Sequence, residues 1–385
     1  MLLKALFNFF LQPVVWLTLL AVILSYFKRI KQQRQRFRVA IDSDFYEGRH
    51  LLKNGFWFTL IGAVLMLGLG VMLPPSWIGI YQIILLFTLI GFVGFGSDSS
   101  WFWLLSIAVF AFVSYFGQTF PVLFIKQAQP PTWSAFLQSS PSLMTVGALF
   151  AGFKLLMLKR FDLLTALPTI KAGKRGRRLV KYSWQELSLI PLFCLIPGDS
   201  LQHFLPSWPF LTIADHTFTF FVLPVVVTSG ISYWRRAAQE VLQFKKNELT
   251  KMIFVCCLTA AISYFFPLMA PVMWLTIFLV FLLNAALSYR FSRQKSNWYF
   301  DTHIGVRIIA VQPQTPAARM GLKPGDIILT CNGRPVHNED ELYQALQQAP
   351  TFCRLKLKTY AGQLKLAQGA IFANAPHEIG LIIFH

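Results

Sequence analysis

Apolar runs close to twenty residues long recur through this chain, and short clusters of lysine and arginine separate them. A run of that length with no polar face has to be buried on every side. As a helix, about twenty such residues cross the ~30 Å hydrocarbon core of a bilayer. Nine stretches qualify as candidate spans: 5–27, 55–73, 78–95, 101–116, 143–158, 187–204, 211–234, 252–266 and 272–289. Only 13% of the residues are charged, against about 25% in an ordinary soluble domain, which supports the same reading. The first stretch follows a single early lysine, Lys4, and no small-residue cleavage site comes after it, so it reads as a span rather than a removed signal. Pro191, Pro197 and Gly198 interrupt the sixth, where a broken or re-entrant helix is expected.

The net charge of +19 is unevenly spread. Segment 28–53 holds eight basic residues, 159–181 another eight, 235–251 five and 290–295 three. Alternating spans put all four on one side of the membrane, and the opposite loops hold only Lys126, with Lys4 at the terminus. Cytoplasmic loops carry the excess of lysine and arginine, so the N-terminus is expected outside and the C-terminal part inside. The same clusters suit anionic headgroups, which makes membrane lipid an expected partner. A nucleic-acid site is not expected, because basic charge alone attracts without specifying. Segment 28–38 reads as a continuation of the first helix out of the bilayer. Segment 171–181, with two glycines, reads as a flexible headgroup-contacting loop, and 117–142 as a proline-rich outer loop without chemistry.

No arrangement suited to catalysis stands out. A membrane metalloprotease needs H-E-x-x-H to hold zinc, and the seven histidines form no such motif. Ser229-Gly230 lacks the G-x-S-G surroundings of a membrane serine protease. Asp199, His203, Asp215 and His216 fall around a polar loop near the outer face and read as solvated residues rather than an ion or proton site. The five cysteines make no CxxC pair and no regular metal-ligand spacing, so they read as buried thiols. No enzyme activity, metal or other cofactor is expected.

After residue 300 the character changes to a nearly balanced eight basic and six acidic residues. Residues 305–311 (GVRIIAV) read as a strand, 316–320 as a short helix, and 327–331 as a buried strand followed by the turn pair Asn332-Gly333. Asn338 precedes a helix reaching Gln347, with Glu341 three residues on for reciprocal capping. Residues 352–359 and 363–367 alternate like a hairpin, and 379–384 form the last strand. The stretch GVRIIAVQPQTPAARMGLKPGDIILTCNGRPV resembles the strand–helix–strand centre of bacterial PDZ domains, where a Gly-Leu-Lys-Pro-Gly-Asp-like turn precedes an ILxxNG strand. The expected fold is therefore an α-helical polytopic membrane bundle, residues 1–295, plus a small α+β PDZ domain, residues 298–385. The latter is a β-barrel-like sandwich with two helices.

The resemblance implies a groove that captures an extended peptide as an added strand, with a glycine loop holding a terminal carboxylate. In the usual order that loop would fall in the last span, where no soluble groove can form. Ile379-Gly380-Leu381-Ile382 supplies the required apolar-Gly-apolar pattern leading into a strand, so a circularly permuted domain with its binding strand last is expected. His303-Ile304-Gly305-Val306 is the rival loop. Glu339, Tyr343 and Leu346 share a helix face that makes the other wall, and Leu342 and Ala345 face the core. Leu346, Ile379 and Leu381 are expected to line the pocket for the ligand's last side chain.

The layout narrows the class further. One span followed by a basic helix and a short acidic patch (Asp42, Asp44, Glu47), then more spans and one C-terminal PDZ domain, resembles the MinJ-like division-site determinants of Gram-positive bacteria. That resemblance implies a scaffold enriched at septum and poles. Such a scaffold bridges a DivIVA-like coiled-coil protein to a MinD-like ATPase and meets other division proteins. Self-association into a homo-oligomer is compatible with it. The rival readings are a transporter-like or sensor protein with a PDZ tether, and a protease adaptor.

Overall fold

The computed structural model describes residues 2–37, 40–95, 100–116, 131–172, 178–197, 218–293, 299–359, 362–371 and 379–384. The body begins with α1 (Leu2–Leu11) and α2 (Pro13–Phe37). Proline cannot continue a helix, so Pro13 splits the first expected span in two. The break is satisfied from the side: Gln12 Nε2 donates to Val222 O at 3.1 Å, and its Oε1 accepts from Gln82 at 2.8 Å. The tail of α2 does run on to Phe37 as the basic extension.

α3 (Tyr46–Gly68) then starts at the acidic patch. Arg29 explains that patch: it pairs with Glu47 at 2.6 Å and donates to the carbonyls of Asp42 and Asp44 while stacking over Tyr46. Removing one member of such a buried pair strands the other charge, so the patch is a structural clamp between α2 and α3.

α4 (Pro75–Phe95), α5 (Ser100–Phe116) and α6 (Trp133–Lys159) complete the first half. α6 begins well inside the stretch expected as an outer loop: Thr132 caps it by accepting from the Ala135 N–H, and Pro141 is carried within the helix. Residues 117–130 of that loop lie outside the described residues. After the hairpin described next, α7 (Ala238–Phe265) and α8 (Ala270–Arg293) close the body. Among the described residues six helices (α2, α3, α4, α6, α7, α8) are long and apolar enough to cross a membrane, and α5 is a shorter apolar helix.

In their described residues the sixth and seventh expected spans are not helices. They form β2 (Arg178–Pro197) and β3 (Phe218–Tyr233), which pair antiparallel over sixteen rungs, with β1 (Leu167–Ala172) at the start of β2. The β-branched run around Val225–Thr228 favours strand over helix. Pro191 and Pro224 would each break a helix; here they sit opposite one another, which confines both missing donors to a single rung.

An open sheet is not tolerated against lipid, so this one is enclosed. α3 packs on β2, and α1, α6 and α7 on β3. Gly55 and Gly62, two turns apart on α3, permit the close approach: a Cβ at Gly55 would stand 2.9 Å from Leu189 O. At the far end of β2, Leu195 exchanges backbone hydrogen bonds with Val71 and Leu73, which satisfies its edge. Because its strands return to the end at which they start, the hairpin is compatible with the expected placement of the four basic segments on one side. The strand connection, with Asp199, His203, Asp215 and His216, lies outside the described residues.

The C-terminal part has strands β4 (Val306–Val311), β5 (Ile327–Cys331), β6 (Arg334–Pro335), β7 (Phe352–Lys358), β8 (Leu364–Ala370) and β9 (Leu381–Ile383). Its helices are α9 (Pro316–Arg319) and α10 (Glu339–Gln347). The sheet order is β8-β7-β5-β4-β9, so the last strand in sequence closes the sheet beside β4. This is the permuted order. Asn332 and Gly333 both adopt positive φ in the turn between β5 and β6, as that pair does in a tight hairpin.

The two parts touch through an aromatic seam. Tyr182 and Tyr233 stack at 5.0 Å at the base of the membrane hairpin, with Tyr299 beside them. The Tyr182 hydroxyl donates to Ile309 O of β4 at 2.7 Å, and Ile382 and Phe384 pack into the same cluster. Residues 299–301 run beside the start of β2, with the Val180 N–H donating to Tyr299 O and the Asp301 N–H to Arg178 O.

A candidate peptide groove between the last strand and the second helix

Among the described residues β9 ends the sheet, and one of its edges pairs with no strand of these. Facing that edge is α10, and the two enclose a cleft of about 240 Å³ lined by Glu339, Asp340, Leu342, Tyr343, Leu346, Leu381 and Ile383. The local sequence explains both walls. α10 is held at its start by the reciprocal cap: the Glu341 N–H donates to Asn338 Oδ1 at 2.8 Å, and Glu341 Oε2 accepts from the His337 N–H at 2.7 Å. Leu342, Ala345 and Leu346 anchor it to the core, which leaves Glu339 and Tyr343 toward solvent.

β9 is launched by a left-handed turn. Ile379 has φ 50° and Gly380 φ 84°. A Cβ on Gly380 would fall 2.4 Å from the Thr315 side chain, so glycine is required there for space as well as for φ. The turn is tied down by the Gln312 N–H donating to Gly380 O and the Ala317 N–H donating to Ile379 O.

Of the seven expected groove residues, Glu339, Tyr343, Leu346 and Leu381 come together in the cleft. Ile379 and Gly380 do not line it: the Ile379 side chain lies in the core, and Gly380 packs against Thr315 in the turn that leads into β9. Ile382 does not face the cleft. It points to the opposite side of β9, into the tyrosine seam, because successive side chains of a strand alternate. Its place is taken by Ile383, and that same alternation from Leu381 was the signal that identifies it. Leu342, expected in the core, contributes to the cleft floor as well, and Asp340 joins Glu339 at the rim.

The rival loop lies elsewhere. Gly305 is packed against β5, where a Cβ would meet Ile328 O at 2.3 Å, and Ile304 is exposed without lining the cleft. The Gly-Leu-Lys-Pro-Gly-Asp turn is closed by the Lys323 N–H donating to Asp326 Oδ2, and burial pushes the Asp326 carboxyl above its usual range. Among the described residues no group of three metal-ligating side chains occurs.

What the cleft can do follows from its parts. A strand edge facing a helix, with the apolar side chains of Leu346 and Leu381 between them, has the geometry that recognition of an extended peptide by strand addition requires. Glu339 and Asp340 make one rim acidic.

Fold and cleft together define a multi-pass membrane protein with a C-terminal PDZ domain, and residues 307–358 match the PDZ domain family. Likeness to curated proteins extends beyond that domain. It is 25% identical over 392 residues to the cell division topological determinant MinJ of Bacillus subtilis, covering 99% of this chain and 94% of that protein. It is 31% identical over 220 residues to the probable cell division topological determinant MinJ of Lacticaseibacillus paracasei. That match spans 56% of this chain and 58% of the relative's length. Likeness to the magnetosome formation protease MamE of Magnetospirillum gryphiswaldense, 41% identical, is confined to 69 residues, 9% of that protein.

Proposed function

We propose that this chain is a non-catalytic membrane scaffold for the placement of cell division, with residues 1–295 as its membrane body and 298–385 as a peptide-reading domain. The observation that carries this reading is the likeness to the Bacillus subtilis division determinant along 99% of the chain. The open edge of β9 beside α10 supplies the means of recruitment. The groove reads an extended C-terminal segment with an apolar last residue, and the acidic rim of Glu339 and Asp340 favours a basic residue upstream. The basic segments face the cytoplasm, which puts the N-terminus outside and the groove inside. In that position it bridges a DivIVA-like polar or septal protein to a MinD-like ATPase.

Imaging a fluorescent fusion in dividing cells tests the role. The intact protein is expected at septa and poles. Tyr343→Asp is expected to remain in the membrane but fail to bring the MinD-like partner with it. An even membrane distribution of the intact protein would contradict the division role. It would favour the reading as a transporter-like or sensor protein.

A further inference from the structure

We propose that the body holds a specific site for one anionic phospholipid, in a cleft between the end of β3 and the basic-side ends of α7 and α8. The cleft has a volume of about 410 Å³, and its charged residues are Arg235, Arg236 and Lys245, with no carboxylate in the wall. Ser288 and Ser292 add hydroxyls from α8. The guanidinium groups are positioned by aromatic rings. Arg235 lies 4.3 Å over Trp234, and Arg236 lies 3.7 Å over Phe291 while donating to Phe291 O at 2.9 Å and to Glu240 at 3.1 Å. Planar guanidinium groups so held are suited to phosphate, and basic pockets between transmembrane helices take phospholipid headgroups.

A second chamber decides between a lipid and a free anion. A cavity of about 160 Å³ shares Gly230, Lys245 and Ala285 with the cleft and continues between the helices past Trp103, Met252 and Phe281. Lys245 lies seven residues into α7, roughly 10 Å from its start, in the polar turns that precede the apolar stretch from Met252. It also pairs with Glu248 at 2.8 Å, and Glu248 lines only the inner chamber. The inner chamber also holds Lys154, which donates to Ser100 Oγ at 2.6 Å, while Trp103, Leu104, Phe150, Met252 and Phe281 make the rest of its wall apolar; with the purely cationic outer chamber this suits a ligand with a phosphate head and an acyl chain. Inorganic phosphate uses only the outer chamber.

Native mass spectrometry of the full chain, released from detergent after exposure to phosphatidylglycerol or phosphatidylcholine, tests the site. One phosphatidylglycerol per chain is expected to be retained in preference to phosphatidylcholine, and millimolar inorganic phosphate is not expected to displace it. The double variant Arg235→Gln/Lys245→Gln should weaken retention about tenfold or more. Ala285→Phe, which fills the junction of the chambers, should abolish it. Lys246→Gln, a basic neighbour that does not line the cleft, should leave it intact. Should the double variant not fold, Ser288→Glu places a negative charge in the same cleft and is expected to weaken retention as strongly. Equal retention of both lipids, or unchanged retention in the folded variants, overturns the proposal. Displacement by phosphate alone would make this a free-anion site and refute the lipid assignment.

Discussion

The chain builds two antiparallel sheets under opposite conditions. In the membrane hairpin nearly every residue of β2 from Leu187 to Ile196, and every residue of β3 from Phe221 to Ser229, is buried, because helices cover both faces. In the C-terminal sheet β7 alternates strictly, with Cys353, Leu355 and Leu357 inward and Arg354 and Lys356 outward. The first sheet is protected on its edge by other backbone, as at Leu195. The second leaves the edge of β9 without a strand, beside a helix. An enclosed edge serves stability, and an open edge serves recognition. Tyr182 joins the two, since it rises from β2 and binds the strand next to β9.

The sharpest break of this contrast is a charge placed on each sheet. Val226→Asp puts an unpaired carboxylate at a fully buried position of β3 and should cost roughly 4 kcal/mol or more, enough to prevent recovery of folded protein from membranes. Lys356→Asp on the outer face of β7 should stay within about 0.5 kcal/mol. The yield of folded protein from membranes reads the first, and thermal melting in detergent the second.

Gly380→Val comes next. It combines a left-handed φ with the Thr315 contact and should cost about 3 kcal/mol, with faster hydrogen exchange at β9. Gly55→Val should cost about 2 kcal/mol by forcing α3 away from Leu189 O, with exchange rising in β2 and not in β9. The smallest effect is expected at the seam. Tyr182→Phe removes one buried hydrogen bond, about 1 kcal/mol, and should loosen β4 and β9 while leaving the hairpin melting unchanged.

The same contrast explains what was legible in the sequence. Strand β7, the turn at Asn332-Gly333 and helix α10 were readable because half-solvated elements carry period, caps and turn residues. Four of the cleft residues follow from those periods, whereas Ile382, one step out of phase with Leu381, falls on the opposite face of β9. β2 and β3 were not readable. A strand covered on both faces loses its alternation, and at 20 and 16 residues each matches the length of a membrane helix. The opposed prolines Pro191 and Pro224 were the remaining signal, and only pairing gives them meaning. Likewise the acidic patch of Asp42, Asp44 and Glu47 carried only a likeness of layout, since nothing local reveals that Arg29 folds back onto Glu47.

The central claim is that the last strand and α10 form the partner groove. Peptide binding to the full chain in nanodiscs tests it most directly, using an array of C-terminal heptapeptides with free and amidated ends. Free-ended peptides with an apolar last residue are expected to bind, and their amidated forms to bind at least about tenfold more weakly, since a carboxylate held by amides is a charge-assisted contact. Tyr343→Asp, at an exposed position of the cleft wall, should abolish binding, and Ile304→Asp in the rival loop should preserve it. Loss of binding in Ile304→Asp with Tyr343→Asp unaffected, or equal binding of free and amidated ends, would contradict the account.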